Sequence, residues 1–267
     1  MYLPSTIKPG ETCNLDKIPS RVDPDDIDKK AAYKRIEANA KVMARLAERL
    51  YAENKRSVLL VLQGMDAAGK DSTIRTVLRG VNPTSCQVSS FKKPSEEELD
   101  HDYLWRIHKA VPRKGNIGIF NRSHYEDVLV VRVHNYVTKS VWSSRYDQIN
   151  EFEQLLHENG TTILKCYLHI SKDEQRERLQ ARVDDPDSHW KFNPGDLKER
   201  ELWSSYREAF NDAITNCNTK HAPWHIIPCD RKWYRNLVIS ELMRSTLEKM
   251  DPQYPPAVQD FTGWEIE

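Results

Sequence analysis

The stretch "SVLLVLQGMDAAGKDST" limits what this chain can fold into more than any other feature. The apolar run from Val58 to Leu62 has no polar face, so it suits a strand covered on both sides, as in a parallel sheet. Gly64 and Gly69 then bracket a short turn, and a helical pattern opens at Lys70 and Asp71. Strand, glycine turn and helix, in that order, are the setting in which G-x-x-x-x-G-K is a phosphate-binding loop rather than a chance match. The backbone of Gly64, Ala67, Ala68 and Gly69 would turn N–H groups inward, Lys70 would reach phosphate oxygens, and the helix start would add its positive dipole end. Asp71 stands where this motif has a hydroxyl, and Asp66 places a second carboxylate inside the loop. Asp66 reads as the holder of a metal ion between phosphates. Asp71 reads equally well as a helix-start charge. Ser72 and Thr73 are the candidates for the missing hydroxyl.

Further strands are expected at "QVSSF", "NIGIF", "TILKCYLHI" and "WHIIP", separated by helical patterns over 28–55, 71–80, 95–110, 143–158, 172–182 and 231–249. The segment 95–110 opens on a capping box, Ser95-x-x-Glu98. Such alternation predicts an α/β fold built on a doubly wound parallel sheet flanked by helices. Residues 1–27 read as an irregular arm and 28–267 as a single domain. A flap, "VDDPDSHWKFNPG", is polar and broken by prolines, and the lid it belongs to is expected over about 172–200.

Composition excludes several classes. Forty basic and forty acidic residues cancel, so no global field marks a nucleic-acid binder. Five scattered cysteines without a C-x-x-C pair argue against a disulfide framework or structural zinc and fit a cytoplasmic location. No signal peptide or bilayer-length apolar run is seen, so no membrane partner is expected.

Outside the loop, "GIFNRSHYED" carries a buried strand into a polar cluster. Asn121 and Arg122 fall at the carboxyl end of that strand, where ligands of an open sheet gather. Arg122 could hold phosphate bidentately; the alternative is a turn arginine paired with Glu126 or Asp127. Arg178 and Arg182 lie four apart, on one face of a helix leading into the flap, and could neutralise charge on a phosphoryl group in flight. A solvated helix face is their alternative. Lys92, Lys93 and Arg106 follow another strand end and suit a phosphate chain, against the alternative of an ordinary basic loop.

Five stretches in order, "GMDAAGKDS", "SFKKPSEEELDHDYLWRIH", "FNRSHYEDVLVVRV", "RERLQARVDDPDSHWKF" and "APWHIIPCDRKWYRN", resemble the polyphosphate kinase 2 family over about residues 28–250. The likeness is greatest to its subgroup acting on both nucleoside mono- and diphosphates. The resemblance implies a P-loop kinase-like fold with a helical lid, Mg²⁺ as cofactor with Mn²⁺ as a substitute, and inorganic polyphosphate with AMP, ADP and ATP as substrates. It extends to GMP and GDP as further acceptors and to a homo-oligomer, dimer or tetramer. It implies Asp66 as the metal residue, Lys70 as the phosphate grip and inward-pointing lid arginines. Many members have Asp-Arg where this chain has Asn121-Arg122, which weakens any direct metal role for position 121. The rivals are an ATP-dependent nucleoside or nucleoside monophosphate kinase and a non-catalytic nucleotide-binding regulator.

Overall fold

The computed structural model describes residues 4–266. Its strands are β1 (Ser5–Thr6), β2 (Ser57–Gln63), β3 (Cys86–Ser90), β4 (Ile117–Asn121), β5 (Thr161–His169) and β6 (Trp224–Pro228). They form one sheet in the order β1-β6-β5-β2-β4-β3, parallel throughout except for β1. Every residue of β2 is buried, as its lack of a polar face requires. From β2 the chain runs to the edge strand β3, returns to β4 beside β2, and then crosses to β5 and β6 on the other side, so the strand order reverses around β2 and β4. Loops leaving the carboxyl ends of β2 and β4 therefore meet there.

Ten α-helices are assigned among the described residues. They are α1 (Lys29–Glu53), α2 (Lys70–Val77), α3 (Glu96–Leu99), α4 (Trp105–Ala110), α5 (Val130–Val133), α6 (Lys139–Glu158), α7 (Lys172–Asp184), α8 (Gly195–Glu201), α9 (Trp203–Asn216) and α10 (Lys232–Met250). Helix α1 begins where the Asp28 carboxylate accepts from the Ala31 N–H at 2.7 Å. Its stripe of Ile36, Ala40, Met43, Ala47 and Leu50 is buried, in part against α10. Helices α1, α2 and α10 pack together, and α5, α6 and α9 form a second group.

Two expectations need correction. The helix expected over 95–110 is two short ones: the capping box forms, with Ser95 N–H donating to Glu98 at 2.9 Å and Ser95 Oγ accepting from Glu98 N–H at 3.2 Å. The Asp102 carboxylate then accepts from the Leu104 N–H at 2.9 Å, a local turn that competes with helix continuation. The flap holds a 3-10 turn, Pro186–Lys191, and leads into helix α8. The stretch 1–27 is also more than irregular: β1 extends the sheet edge, and Cys13 and Leu15 join the core.

That arm is tied down through His169, whose Nε2–H donates to the Ile18 carbonyl at 2.9 Å while Nδ1 accepts from Arg207 at 3.0 Å. This network requires a neutral ring. Burial, followed by the nearby Arg207, pushes the His169 pKa from 6.5 to about 4, and burial, followed by Lys165, does the same to His225. A folded pKa below the unfolded one means that the unfolded state takes up protons first as pH falls through 6.5. Stability is therefore complete above pH 6.5 and is lost progressively toward pH 4. Each ring should cost about 2 kcal/mol by pH 5. Urea midpoints at pH 7 and pH 5 check this, and a His169→Gln variant should show a smaller drop. A midpoint that is flat across that range would refute it.

Candidate functional site

The loop after β2 is shaped by contacts that only small residues permit. Gly64 has φ of 153°, and a Cβ there would sit 2.8 Å from the Leu168 carbonyl. Gly69 has φ of 104°, and a Cβ would run into the Arg235 guanidinium. Ala67 is left-handed at φ of 61°, a conformation costly enough for a non-glycine residue to suggest a functional constraint.

Loop carbonyls are held from behind by side chains of α7 and α10. Gln175 donates to Asp66 O at 2.9 Å; Arg178 donates to Ala67 O and Ala68 O, both at 3.0 Å; Arg235 donates to Ala68 O at 2.7 Å. Within a planar trans peptide the C=O and N–H point opposite ways. Carbonyls fixed outward therefore leave the following N–H groups turned toward the cleft, where the start of α2 adds its own unpaired N–H groups. The Ala68 N–H is an exception, closing on Met65 O at 3.1 Å.

Both loop carboxylates meet the end of β4. Asp66 accepts from Arg122 at 2.7 Å, and Asp71 accepts from the Asn121 amide at 2.7 Å. Arg122, itself left-handed at φ of 63°, also reaches Glu126 at 3.4 Å. The pairing with Glu126 weighed as its alternative is thus present, but shared with the loop. Lys70 is only 8% exposed and folds back so that Nζ donates to Gly64 O at 2.8 Å. Burial, then the Arg122 charge, push its pKa down, against the pull of Asp66, Glu126 and Asp71.

These residues open onto a cleft of about 880 Å³ that also meets Lys92, Lys93, Arg182, Trp190 and Asp196. Lys92 and Lys93 are exposed at its edge. Arg182 reaches it from the lid helix and is lightly held, by Lys191 O at 3.3 Å and Asp196 at 3.4 Å. Arg178 does not share that outlook. It is 8% exposed and spent on Glu174, the two loop carbonyls and Cys229 O, so it buttresses the phosphate loop instead of touching a transferring group. Arg106 is likewise buried, donating to Lys92 O at 2.9 Å and facing Glu98 at 3.4 Å. It supports the Lys92 backbone and is not placed to contact a phosphate chain. Neither candidate hydroxyl is aimed into the cleft: Ser72 Oγ donates to Gly69 O at 2.9 Å and accepts from Arg235, and Thr73 Oγ1 faces Asn236.

Asp66 fits a divalent cation of the magnesium type. Among the described residues no three His, Cys, Asp or Glu side chains gather into an all-protein cage. Magnesium rarely uses one; it takes one or two carboxylates and completes its shell with water and substrate phosphate. Asp66 and Asp196 line the same cleft, and burial followed by the like charge of Asp66 raises the Asp196 pKa. Asp66 and Asp196 are two carboxylates on one cleft, a number that such an ion uses.

Sequence reasoning missed Gln175, Arg235, Trp190 and Asp196. Arg235 lies within "CDRKWYRN", and its burial was invisible because a charged residue in a helix reads as solvent-facing. Trp190, 79% exposed in the flap, was the one legible signal, a large aromatic in an otherwise polar insert.

The description "Polyphosphate kinase 2" matches residues 26–255. The chain is 54% identical over 240 residues to the AMP/ADP-polyphosphate phosphotransferase of Meiothermus ruber, covering 88% of this chain and 90% of that protein. It is 43% identical over 258 residues to the ADP-polyphosphate phosphotransferase of Rhodopseudomonas palustris, covering 92% and 89%. The crystal structure of polyphosphate kinase 2 from Arthrobacter aurescens superposes with a TM-score of 0.90 at 38% identity over 96% of each chain.

Proposed function

Because the chain belongs to the polyphosphate kinase 2 family, we propose that it moves phosphate between inorganic polyphosphate and adenine nucleotides, taking AMP to ADP and ADP to ATP. The observation that carries this reading is that Asp66, Lys70 and Arg122 line one cleft, with Asp66 paired to the Arg122 guanidinium at 2.7 Å. Two polyanions meeting head to head require that arrangement more than they require a base. A nucleotide's terminal phosphate is already largely ionised at neutral pH, since its second pKa is about 6. Transfer then depends on alignment and on charge neutralisation.

Lys70 and the loop N–H groups grip one phosphate chain. Arg122 turns from Asp66 and Glu126 to the other, and Arg182 closes over the junction from the lid. Asp66, with Asp196 facing the same cleft, would hold Mg²⁺ or Mn²⁺, which when bound offsets the charge of the phosphates. Lys92 and Lys93, flexible point charges, suit a polyanion that shifts by one unit between AMP and ADP as acceptors.

The test is one incubation of purified protein with Mg²⁺, AMP and polyphosphate, without ATP and with adenylate kinase excluded. ADP should appear first and ATP later. No transfer without ATP would favour an ATP-dependent nucleotide kinase, and a clean stop at ADP would refute dual acceptor use. Arg122→Lys should lower kcat/KM by about 1.5–3 kcal/mol, because a point charge cannot copy a bidentate fork. Steady-state kinetics of that variant check it, and wild-type values would assign Arg122 a purely structural role.

A further inference from the structure

The catalytic cleft is not the largest hollow of the molecule. A groove of about 1180 Å³ runs between α1 and α2. Six cationic side chains rim it: Lys29, Lys30, Lys34 and Lys41 from α1, Arg75 from α2, and Arg79 from the turn that follows α2. All six residues are exposed, and the groove contains one carboxylate, Glu37. That carboxylate lies 3.9 Å from Lys41; among the described residues the other five cations make no ion pair. In a chain whose forty basic and forty acidic residues cancel, this is a strong local excess. The floor, Tyr33, Ile36 and Ala40, is apolar and of the kind that lysine and arginine stems cover while their heads stay in water.

The groove adjoins the cleft at Arg75, which lines both. Helix α2 carries the chain ~10 Å from Lys70 to Val77 at 1.5 Å rise per residue, and Arg79 lies in the turn just beyond it. A row of unpaired like charges leading away from a phosphate seat calls for a ligand with many evenly spaced negative charges. A nucleotide is too short to use it.

We propose that this groove is a distal seat for the trailing length of a polyphosphate chain whose reacting end lies at Lys70. The proposal rests on polyphosphate being a substrate, and it adds chain-length discrimination. Long chains gain from Lys34 and Arg79, whereas a chain of three phosphates stays within the cleft and gains nothing.

The experiment compares the wild type with a Lys34→Ala/Arg79→Ala double variant, Lys34 being exposed on α1 and Arg79 exposed in the turn after α2. Calorimetric binding is measured for long-chain polyphosphate and for tripolyphosphate, along with the KM for long-chain polyphosphate and for AMP. Long-chain binding and KM should weaken roughly three- to thirtyfold, the range for losing two exposed charge contacts. Tripolyphosphate binding and the AMP KM should not move, and the difference should shrink at raised salt. Unchanged long-chain binding overturns the proposal, as does an equal loss for both phosphate lengths. A changed oligomeric mass with unchanged long-chain affinity would instead assign the groove to a second copy of the chain. Failure of the wild type to use polyphosphate at all would strike the proposed function, and is read from the wild type alone.

Discussion

Lys70→Ala should lower kcat/KM by about 10²–10³-fold, the usual consequence of removing one preorganised charge-stabilising donor. The side chain is the only lysine inside the loop, and it is already aimed across the loop mouth through its 2.8 Å bond to Gly64 O. Phosphate bound there would take over the bond. Without a ligand, the ammonium is buried beside Arg122, and both effects disfavour its charge. Removing it should therefore leave stability within about 1 kcal/mol of wild type, since one hydrogen bond is lost and one poorly hydrated charge is relieved. Asp66→Asn should cause a similar loss of activity for the opposite reason, leaving Arg122 a neutral acceptor in place of its 2.7 Å ion-pair partner and removing the carboxylate proposed to hold the metal. Activity recovered at raised Mg²⁺ would separate the metal role from the positioning of Arg122. Turnover close to wild type in either variant, measured alongside melting temperature, would end the assignment.

The parts of this site that were legible in the sequence are local ones. Gly64, Asp66, Gly69 and Lys70 lie within seven residues, and the strand before them advertises itself through an unbroken apolar run. Asn121 and Arg122 could be placed because the carboxyl end of a parallel strand is where an open sheet gathers ligands. Of the two arginines expected to reach the cleft from the lid helix, Arg178 does not, for a geometric reason. Spacing of four puts Arg178 and Arg182 on one helix face, but the loop lies against the first turns of that face and the cleft against its end. Arg178 thus became a buttress and Arg182 remained available. Helix α9 shows a different failure: Tyr206, Ala209, Phe210, Ala213 and Ile214 carry a clear helical stripe, left unread beside the polar flap. Arg235 was beyond sequence reasoning altogether, since its partners Ala68 and Ser72 are brought to it only by the sheet.

Lys165 is the plainest case of a residue whose meaning the strand pattern hides, and Lys165→Met should destabilise the protein by about 3–5 kcal/mol. It stands in the middle of β5 with no exposed surface, in a run otherwise read as apolar. Its ammonium donates to Glu153 at 2.6 Å, to the Tyr125 hydroxyl at 2.8 Å and to Cys217 O at 2.6 Å. Glu153, also fully buried, accepts from Tyr125 at 2.9 Å and meets His124 Nε2 at 3.1 Å. Burial alone would raise the Glu153 pKa, yet Lys165 and His124 outweigh it and hold the carboxyl below its ordinary value. Removing the lysine leaves that buried charge with only His124 and the Tyr125 hydroxyl to meet it. Glu153→Gln in the same background should recover part of the loss, because the stranded carboxylate is then gone; that coupling separates an ion pair from simple packing. Urea denaturation of the two single variants and the double variant measures it, and strictly additive losses would reject the pair as the cause. The same pair bears on catalysis, since His124 and Tyr125 directly follow Arg122 and Ser123, and Ser123 Oγ is held by Gln63 at 3.1 Å. A loosened pair frees the turn that aims the guanidinium. Lys165→Met should then also lower kcat at temperatures where the protein remains folded, by less than Arg122→Lys does.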